Sequence, residues 1–234
     1  MKDFLREKLS EENIEITEFQ VEQFITFMNL LKEENKKTNL TAITEDKEIV
    51  IKHFVDSISV CKYFSPKDER LVDIGSGAGF PAIPLKIIFP ELDVTMIDSV
   101  GKKVIFQEKV IAELGLKNCR GIHGRLEDLA RGTLRETFDV CTARAVASMN
   151  VLIEYAAPFL KVNGKFIAMK GRSIEEHSQW ERALKELKCA LVKEEKEMLS
   201  GTDIERNIYI IEKKGKTDGK YPRKAGTPKR QPIS

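Results

Sequence analysis

A chain of 234 residues with 41% hydrophobic and 32% charged side chains can bury one core and solvate its surface, which makes one domain with an extension and excludes a multi-domain machine. No run of about 18 apolar residues occurs, which excludes a membrane-spanning helix, and the charged start from Met1 to Lys8 holds no apolar signal stretch. Four cysteines (Cys61, Cys119, Cys141, Cys189) form no CxxC pair, and the net charge is only +2, so a reduced, cytoplasmic protein with neither disulfides nor a metal is expected.

The first fifty residues read as helical. Thr17 and Gln20 have the spacing of a capping box, with Ile16 and Val21 at the staple positions around it. Behind them Val21, Phe24, Ile25, Met28 and Leu31 recur at helical intervals. Such a stripe packs against the body, although a docking face for another chain would look the same. Asn39 to Thr44 follows as a turn, and Glu48 to Phe64 as a helix ended by Ser65-Pro66.

From Arg70 onward, short apolar runs alternate with helical ones. Strands are expected at Leu71–Ile74, Val94–Asp98, Cys119–His123, Phe138–Ala143, Gly164–Met169, Ala190–Glu194 and Asn207–Ile211. Helices are expected through Phe89, from Lys102 to Leu114 with Gly115 closing it, across Met149 to Leu160, and around Ile174 to Leu187. Alternation of this kind means an α/β fold, Rossmann-like, with a mostly parallel seven-stranded sheet covered on both faces. From Lys213 to Ser234 eight Lys and Arg stand against Asp218, so this end carries +7 and the preceding 212 residues −5. That asymmetry points to a polyanion, nucleic acid or an anionic membrane, and a solvated disordered tail would show it too. The chain divides into an N-terminal helical extension (residues 1–65), an α/β domain (66–213) and a basic tail (214–234), within one globular unit.

The strongest chemical signal is Asp73-Ile74-Gly75-Ser76-Gly77-Ala78-Gly79-Phe80-Pro81, where a strand runs into a helix and α/β sheets bind ligands. Glycines let the chain turn sharply and bring its backbone against the ligand. Counted from Gly75, the last glycine of G-x-G-x-x-G would fall on Phe80, so the dinucleotide fingerprint fails, and no Gly-Lys-Ser/Thr follows. The spacing acid-x-Gly-x-Gly-x-Gly is that of class I S-adenosylmethionine-dependent methyltransferases. Asp98, 23 positions after Gly75 at a strand end, can accept both ribose hydroxyls of a nucleoside. Asp73, Gly75, Gly77, Gly79 and Asp98 are therefore candidate cofactor-binding residues.

The nucleophile is read by elimination. Adenine-N6 methyltransferases carry Asn/Asp-Pro-Pro-Tyr/Phe after strand four, and here that place reads Ala143-Arg144-Ala145-Val146. Cys141 lies within an apolar strand pattern and reads as a core cysteine, not as a cytosine-attacking thiolate. Arg144 and Arg125 remain, and arginine forks match guanine O6 and N7, or phosphate. Guanine N7 already carries an in-plane lone pair, so its methylation needs positioning and no general base. No residue is assigned as catalytic.

Beyond the turn, several strings match one family: Asn39-Leu40-Thr41-Ala42-Ile43, Lys52-His53-Phe54-Val55-Asp56-Ser57, Arg125 with Glu127, Ala143 to Ala147, Lys170-Gly171 and Tyr221 to Lys229. By these the chain resembles the bacterial 16S rRNA guanine-N7 methyltransferases, the RsmG or glucose-inhibited division protein B family, over about Asn39 to Lys229. The resemblance implies methyl transfer from S-adenosylmethionine to N7 of one guanine in 16S ribosomal RNA, with S-adenosylhomocysteine as product. It also implies cofactor contacts at Gly75, Phe80, Leu126, Glu127 and Arg144, Glu127 meeting the adenine end. Candidate RNA contacts are Arg125, Arg144, Lys170, Arg172, Arg206, Arg223 and Lys224. The expected partner is 16S rRNA or the small ribosomal subunit, with no membrane and a monomeric protein. Ala82 departs from the glycine usual in the family after Phe-Pro. A methyltransferase for another RNA site, a protein or a small molecule, and a non-catalytic nucleoside-binding or RNA-binding scaffold, are the competing readings.

Overall fold

The computed structural model describes residues 1–67, 69–144, 147–171, 177–199 and 202–234. Arg172 of the candidate RNA contacts, and Ala145 and Val146 of the arginine loop, lie outside the described residues. Helices Lys2–Glu11 and Glu18–Thr38 form an N-terminal layer. The second opens on the expected capping box: the Gln20 N–H donates to Thr17 Oγ1 (3.2 Å) and the Thr17 N–H to Gln20 Oε1 (2.9 Å). Of its expected stripe, Val21, Phe24, Met28 and Leu31 are buried in the same core as the Ala82–Ile88 and Gly101–Leu114 helices, joined there by Phe27, while Ile25 is only partly buried against it. The stripe is core, not a free docking face.

The helix expected from Glu48 to Phe64 is one continuous helical run of four geometries. These are an α turn at Asp46–Ile49, a π segment at Val50–Val55, an α turn at Asp56–Ile58 and a 3-10 turn at Ser59–Tyr63. Apolar periodicity cannot distinguish these geometries, since each keeps one face buried.

Seven strands follow: β1 (Arg70–Ile74), β2 (Asp93–Asp98), β3 (Cys119–His123), β4 (Phe138–Arg144), β5 (Leu160–Lys170), β6 (Cys189–Met198) and β7 (Glu205–Lys213). They lie in the order β3-β2-β1-β4-β5-β7-β6, with β7 antiparallel to both its neighbours and the other pairings parallel. Leu160, expected to close a helix, instead begins β5. The Met149–Ala156 helix gives way to a 3-10 turn at Ala157–Phe159, where Pro158 has no N–H with which to continue α-helical bonding. Of the expected helix around Ile174 to Leu187, the described part is a 3-10 turn at His177–Gln179 and a helix at Glu181–Glu186. Short helices at Leu126–Leu129 and Thr227–Arg230 were not expected; four residues are too few to show a period.

The sheet separates two cores. On one face lie the N-terminal helices with the Ala82–Ile88 and Gly101–Leu114 helices. On the other lie the Met149–Ala156 and Glu181–Glu186 helices, joined by Tyr221 and Ile233 from the C-terminal segment. The two ends of the chain therefore cover opposite faces. Lys213, counted above among the cations of the basic end, is the fully buried last residue of β7. Its Nζ donates to Glu136 Oε1 (2.7 Å) and to the carbonyls of Ala157 (2.8 Å) and Leu160 (2.7 Å). Burial lowers its pKa, and Glu136 works against that. Replacing it as Lys213→Met removes the donor from all three acceptors and should cost about 3 kcal/mol of stability. Urea unfolding checks this, and a loss below about 1 kcal/mol would show that the acceptors are satisfied another way.

Candidate active site

The glycine turn is built by its neighbours as much as by its own residues. Gly75, Gly77 and Gly79 all have positive φ (68°, 59° and 92°), where side chains with a Cβ are strained. A Cβ on Gly79 would also lie 2.3 Å from Ile83 Cδ1. A set of hydrogen bonds holds the turn against β2 and its following helix. The Gly75 N–H donates to the Ile97 carbonyl (2.8 Å), the Gly77 N–H to Asp98 Oδ2 (2.9 Å), and Gln107 Nε2 to the Gly77 carbonyl (2.8 Å). Ser76 Oγ donates to the Asp73 carbonyl (2.8 Å). Pro81 caps the helix that follows, and Ala82, the departure from the family pattern, is its fully buried first residue.

Asp98 therefore anchors the turn and still lines the cavity beside it. Oδ1 accepts from the Val100 N–H (2.9 Å) and Oδ2 from Gly77, leaving each oxygen a second lone pair for a hydroxyl. Asp73 sits fully buried beneath the turn. Its Oδ1 accepts from Thr142 Oγ1 (2.8 Å), and Oδ2 has no partner. Burial raises its pKa to about 7, against the lowering effect of Thr142 and Ser76. An orphaned, reluctantly ionised carboxyl suits a ligand that brings its own cation.

The N-terminal extension supplies the next wall. Leu40, Thr41 and His53 line the cavity with Phe80 and Arg144. The His53 ring stacks on Phe80 (centroids 4.4 Å apart, 19° between planes), and the Arg144 guanidinium lies over the same ring at 5.0 Å. Arg144 donates to Asp56 Oδ2 (3.0 Å), to the Lys52 carbonyl (3.2 Å) and to His53 Nδ1 (3.2 Å). With Nδ1 accepting, the ring proton stands on Nε2 and is donated to Thr41 Oγ1 (2.8 Å). Burial first, and Arg144 second, push the His53 pKa down to about 3, so the ring is neutral. Asp56, buried to 1% exposure, also takes Arg206 Nε on Oδ1 (2.5 Å). His53 and Asp56, in or just after the π segment, were seen in the sequence only as part of a matching string. Ser76 and Gln107 gave no signal, because an isolated polar residue looks the same facing solvent or a backbone group.

The cavity measures about 510 Å³ at the carboxyl ends of β1 to β4, and Gly75, Gly77, Phe80, Asp98, Arg125, Leu126, Glu127 and Arg144 all line it. Asp73 and Gly79 lie behind the lining, where they shape the turn. Arg125 is exposed at the start of the Leu126–Leu129 helix. Lys170 Nζ donates to the Ala147 carbonyl, and Arg206 is held by Asp56. Arg223 is paired with Glu154, and Lys224 is exposed. Cys141 is fully buried, its thiol pushed well above the usual range by burial, as a core cysteine should be.

A sheet of this order, with a triple-glycine turn after β1 and an acid closing β2, defines a class I S-adenosylmethionine-dependent methyltransferase fold. Solved structures agree at the level of fold. A SAM-dependent methyltransferase from Aquifex aeolicus superposes with a TM-score of 0.55 at 18% identity, over 77% of this chain and 97% of that one. Geranyl diphosphate C-methyltransferase from Streptomyces coelicolor, solved with S-adenosyl-L-homocysteine, gives 0.51 at 12% identity over 64% and 73%. The family model for rRNA small subunit methyltransferase G, GidB, matches residues 20–209. A ribosomal RNA small subunit methyltransferase G from Thermoanaerobacter sp. (strain X514) is 47% identical over 99% of this chain and 98% of its own length. One from Acetivibrio thermocellus is 43% identical over 100% and 97%. The chain belongs to the GidB family.

Two of the perturbed groups at the site, Asp73 and His53, titrate with opposite signs. Asp73, raised to about 7, adds stability below about pH 4 that is lost as pH rises through 7. His53, lowered to about 3, adds stability above about pH 6.5 that is lost as pH falls toward 3. The ligand-free Asp73→Asn variant should therefore gain stability relative to wild type as pH rises from about 4 to 7. Urea midpoints at each pH check this, and a difference that stays constant with pH would remove Asp73 as the titrating group.

Proposed function

We propose that this chain transfers a methyl group from S-adenosylmethionine to N7 of a guanine in 16S ribosomal RNA. The observation that carries the reading is similarity along the whole chain, at 43–47% identity, to proteins named ribosomal RNA small subunit methyltransferase G. The site supports it. Asp98 would hold the ribose hydroxyls, Glu127 the adenine end, and the turn above Asp73 the charged methionine end. When bound, the cofactor supplies a methyl group activated by its sulfonium charge.

The residues of the chain then have little proton chemistry to do. Guanine N7 attacks with a lone pair it already has, so no base is needed, and neutral His53 acts as a hydrogen-bond acceptor that orients Arg144. Held by Asp56, His53 and the Lys52 carbonyl, the Arg144 guanidinium keeps a fixed plane from which to meet guanine O6 or a phosphate. Rate would come from orientation and from the exclusion of water.

Small subunits or 16S rRNA lacking the modification, incubated with methyl-labelled cofactor and digested to nucleosides, should yield labelled 7-methylguanosine. Label in another nucleoside, in ribosomal protein or in none would overturn the reading. The exposed cations of the C-terminal segment are read as phosphate contacts. Lys224→Ala should lower the slope of log affinity for the RNA against log salt by about 0.7–0.9. An unchanged slope would take Lys224 out of the interface.

A further inference from the structure

Two residues of the cavity lining, Gly226 and Lys229, come from the C-terminal segment, well away in sequence from the turn and strand ends that hold a nucleoside. The segment is fastened beside the cavity at successive points. Arg131 Nη2 donates to the Pro222 carbonyl and Arg135 Nη1 to that of Tyr221. The Arg223 N–H (2.8 Å) and Nη2 (2.6 Å) reach the two oxygens of Glu154, a carboxylate with no exposed surface. Three residues on, Gly226 turns with φ of +80° and its N–H donates to Glu127 Oε1 at 2.8 Å. The Tyr155 hydroxyl donates to the same oxygen at 3.4 Å. Glu154 and Tyr155 adjoin on the Met149–Ala156 helix, which therefore holds Arg223 directly and Gly226 only through Glu127.

We infer that residues 221–229 form part of the cofactor site itself, as a wall latched by the Glu127–Gly226 hydrogen bond. The inference rests on reading the cavity as an S-adenosylmethionine pocket. With Oε1 engaged by the latch, Glu127 offers Oε2 to an adenine amino group, and the latch fixes the plane in which that oxygen is presented. Cofactor binding and latching are then linked. Whatever factor the latched state adds to cofactor affinity, the cofactor adds to the stability of the latch. The basic residues next to the latch would meet RNA on a segment whose position the cofactor sets.

Gly226 is where the latch can be tested without a clash against the rest of the protein. A Cβ there meets nothing within 4 Å, so alanine strains the left-handed turn without a clash, while asparagine tolerates it. Calorimetry with S-adenosylhomocysteine on the full-length protein should show Gly226→Ala weakened about five- to thirtyfold, and Gly226→Asn within about threefold of wild type. In wild type, S-adenosylhomocysteine should slow tryptic cleavage after Arg223 and Lys224. This readout needs no variant to fold, and a packed but uncoupled segment would not give it. Equal affinities for wild type and Gly226→Ala, or cleavage indifferent to the ligand, overturn the wall assignment alone. A wild-type protein that binds no S-adenosylhomocysteine overturns the cofactor reading and the wall with it.

Discussion

Asp56 carries an arginine on each of its oxygens, and the geometry of the site depends on that one carboxylate. Arg144 arrives from the end of β4, Arg206 from the start of β7, and Asp56 from the helical run of the N-terminal extension. Two guanidiniums against one buried carboxylate leave an excess positive charge where the dielectric is low and Coulomb terms are strong. His53 answers by staying neutral, which lets its Nδ1 accept from Arg144. Removal of Asp56 would leave two partly buried cations uncompensated, a far larger loss than the pair itself is worth. The extension is therefore structural to the site, and the face of Phe80 is set from both sides of that charge cluster.

Much of the fold could be read in advance because its signals are periodic or conformational. The seven strands and their alternation with helices follow from where apolar residues cluster. The turn at Gly75, Gly77 and Gly79 could be read because all three positions have positive φ, a demand that restricts residue type. Asp98 could be read because its distance from the turn is fixed by one helix and one strand. The rest left no such trace. The π segment that carries His53 keeps the same buried face as an α-helix, and Gln107 sits in an amphipathic helix like any polar neighbour. Their roles depend on which backbone carbonyl or guanidinium the fold brings opposite, which is a tertiary fact.

The basic end sums to +7, yet Lys213 is sealed inside the protein and Arg223 is matched to Glu154. These cations hold the chain end to the body. Lys214, Lys216, Lys220, Lys224, Lys229 and Arg230 are exposed, Lys214 pairing with Glu212, so the field that a polyanion would meet is weaker than the sum implies. The same segment buries Tyr221 and Ile233 in the second core, which is how a strongly cationic stretch comes to be ordered.

The cavity is lined by residues from Leu40 to Lys229, and this has a consequence for the order in which the protein is made. Synthesis runs from the N-terminus, so the turn, the strand ends and the arginine cluster precede the wall at Gly226 and Lys229. A growing chain can assemble its parallel sheet early, but the pocket is not enclosed until residues 221–229 have been made and have packed beside it. A chain that stopped before residue 221 would thus hold all seven strands and still have a gap in its wall.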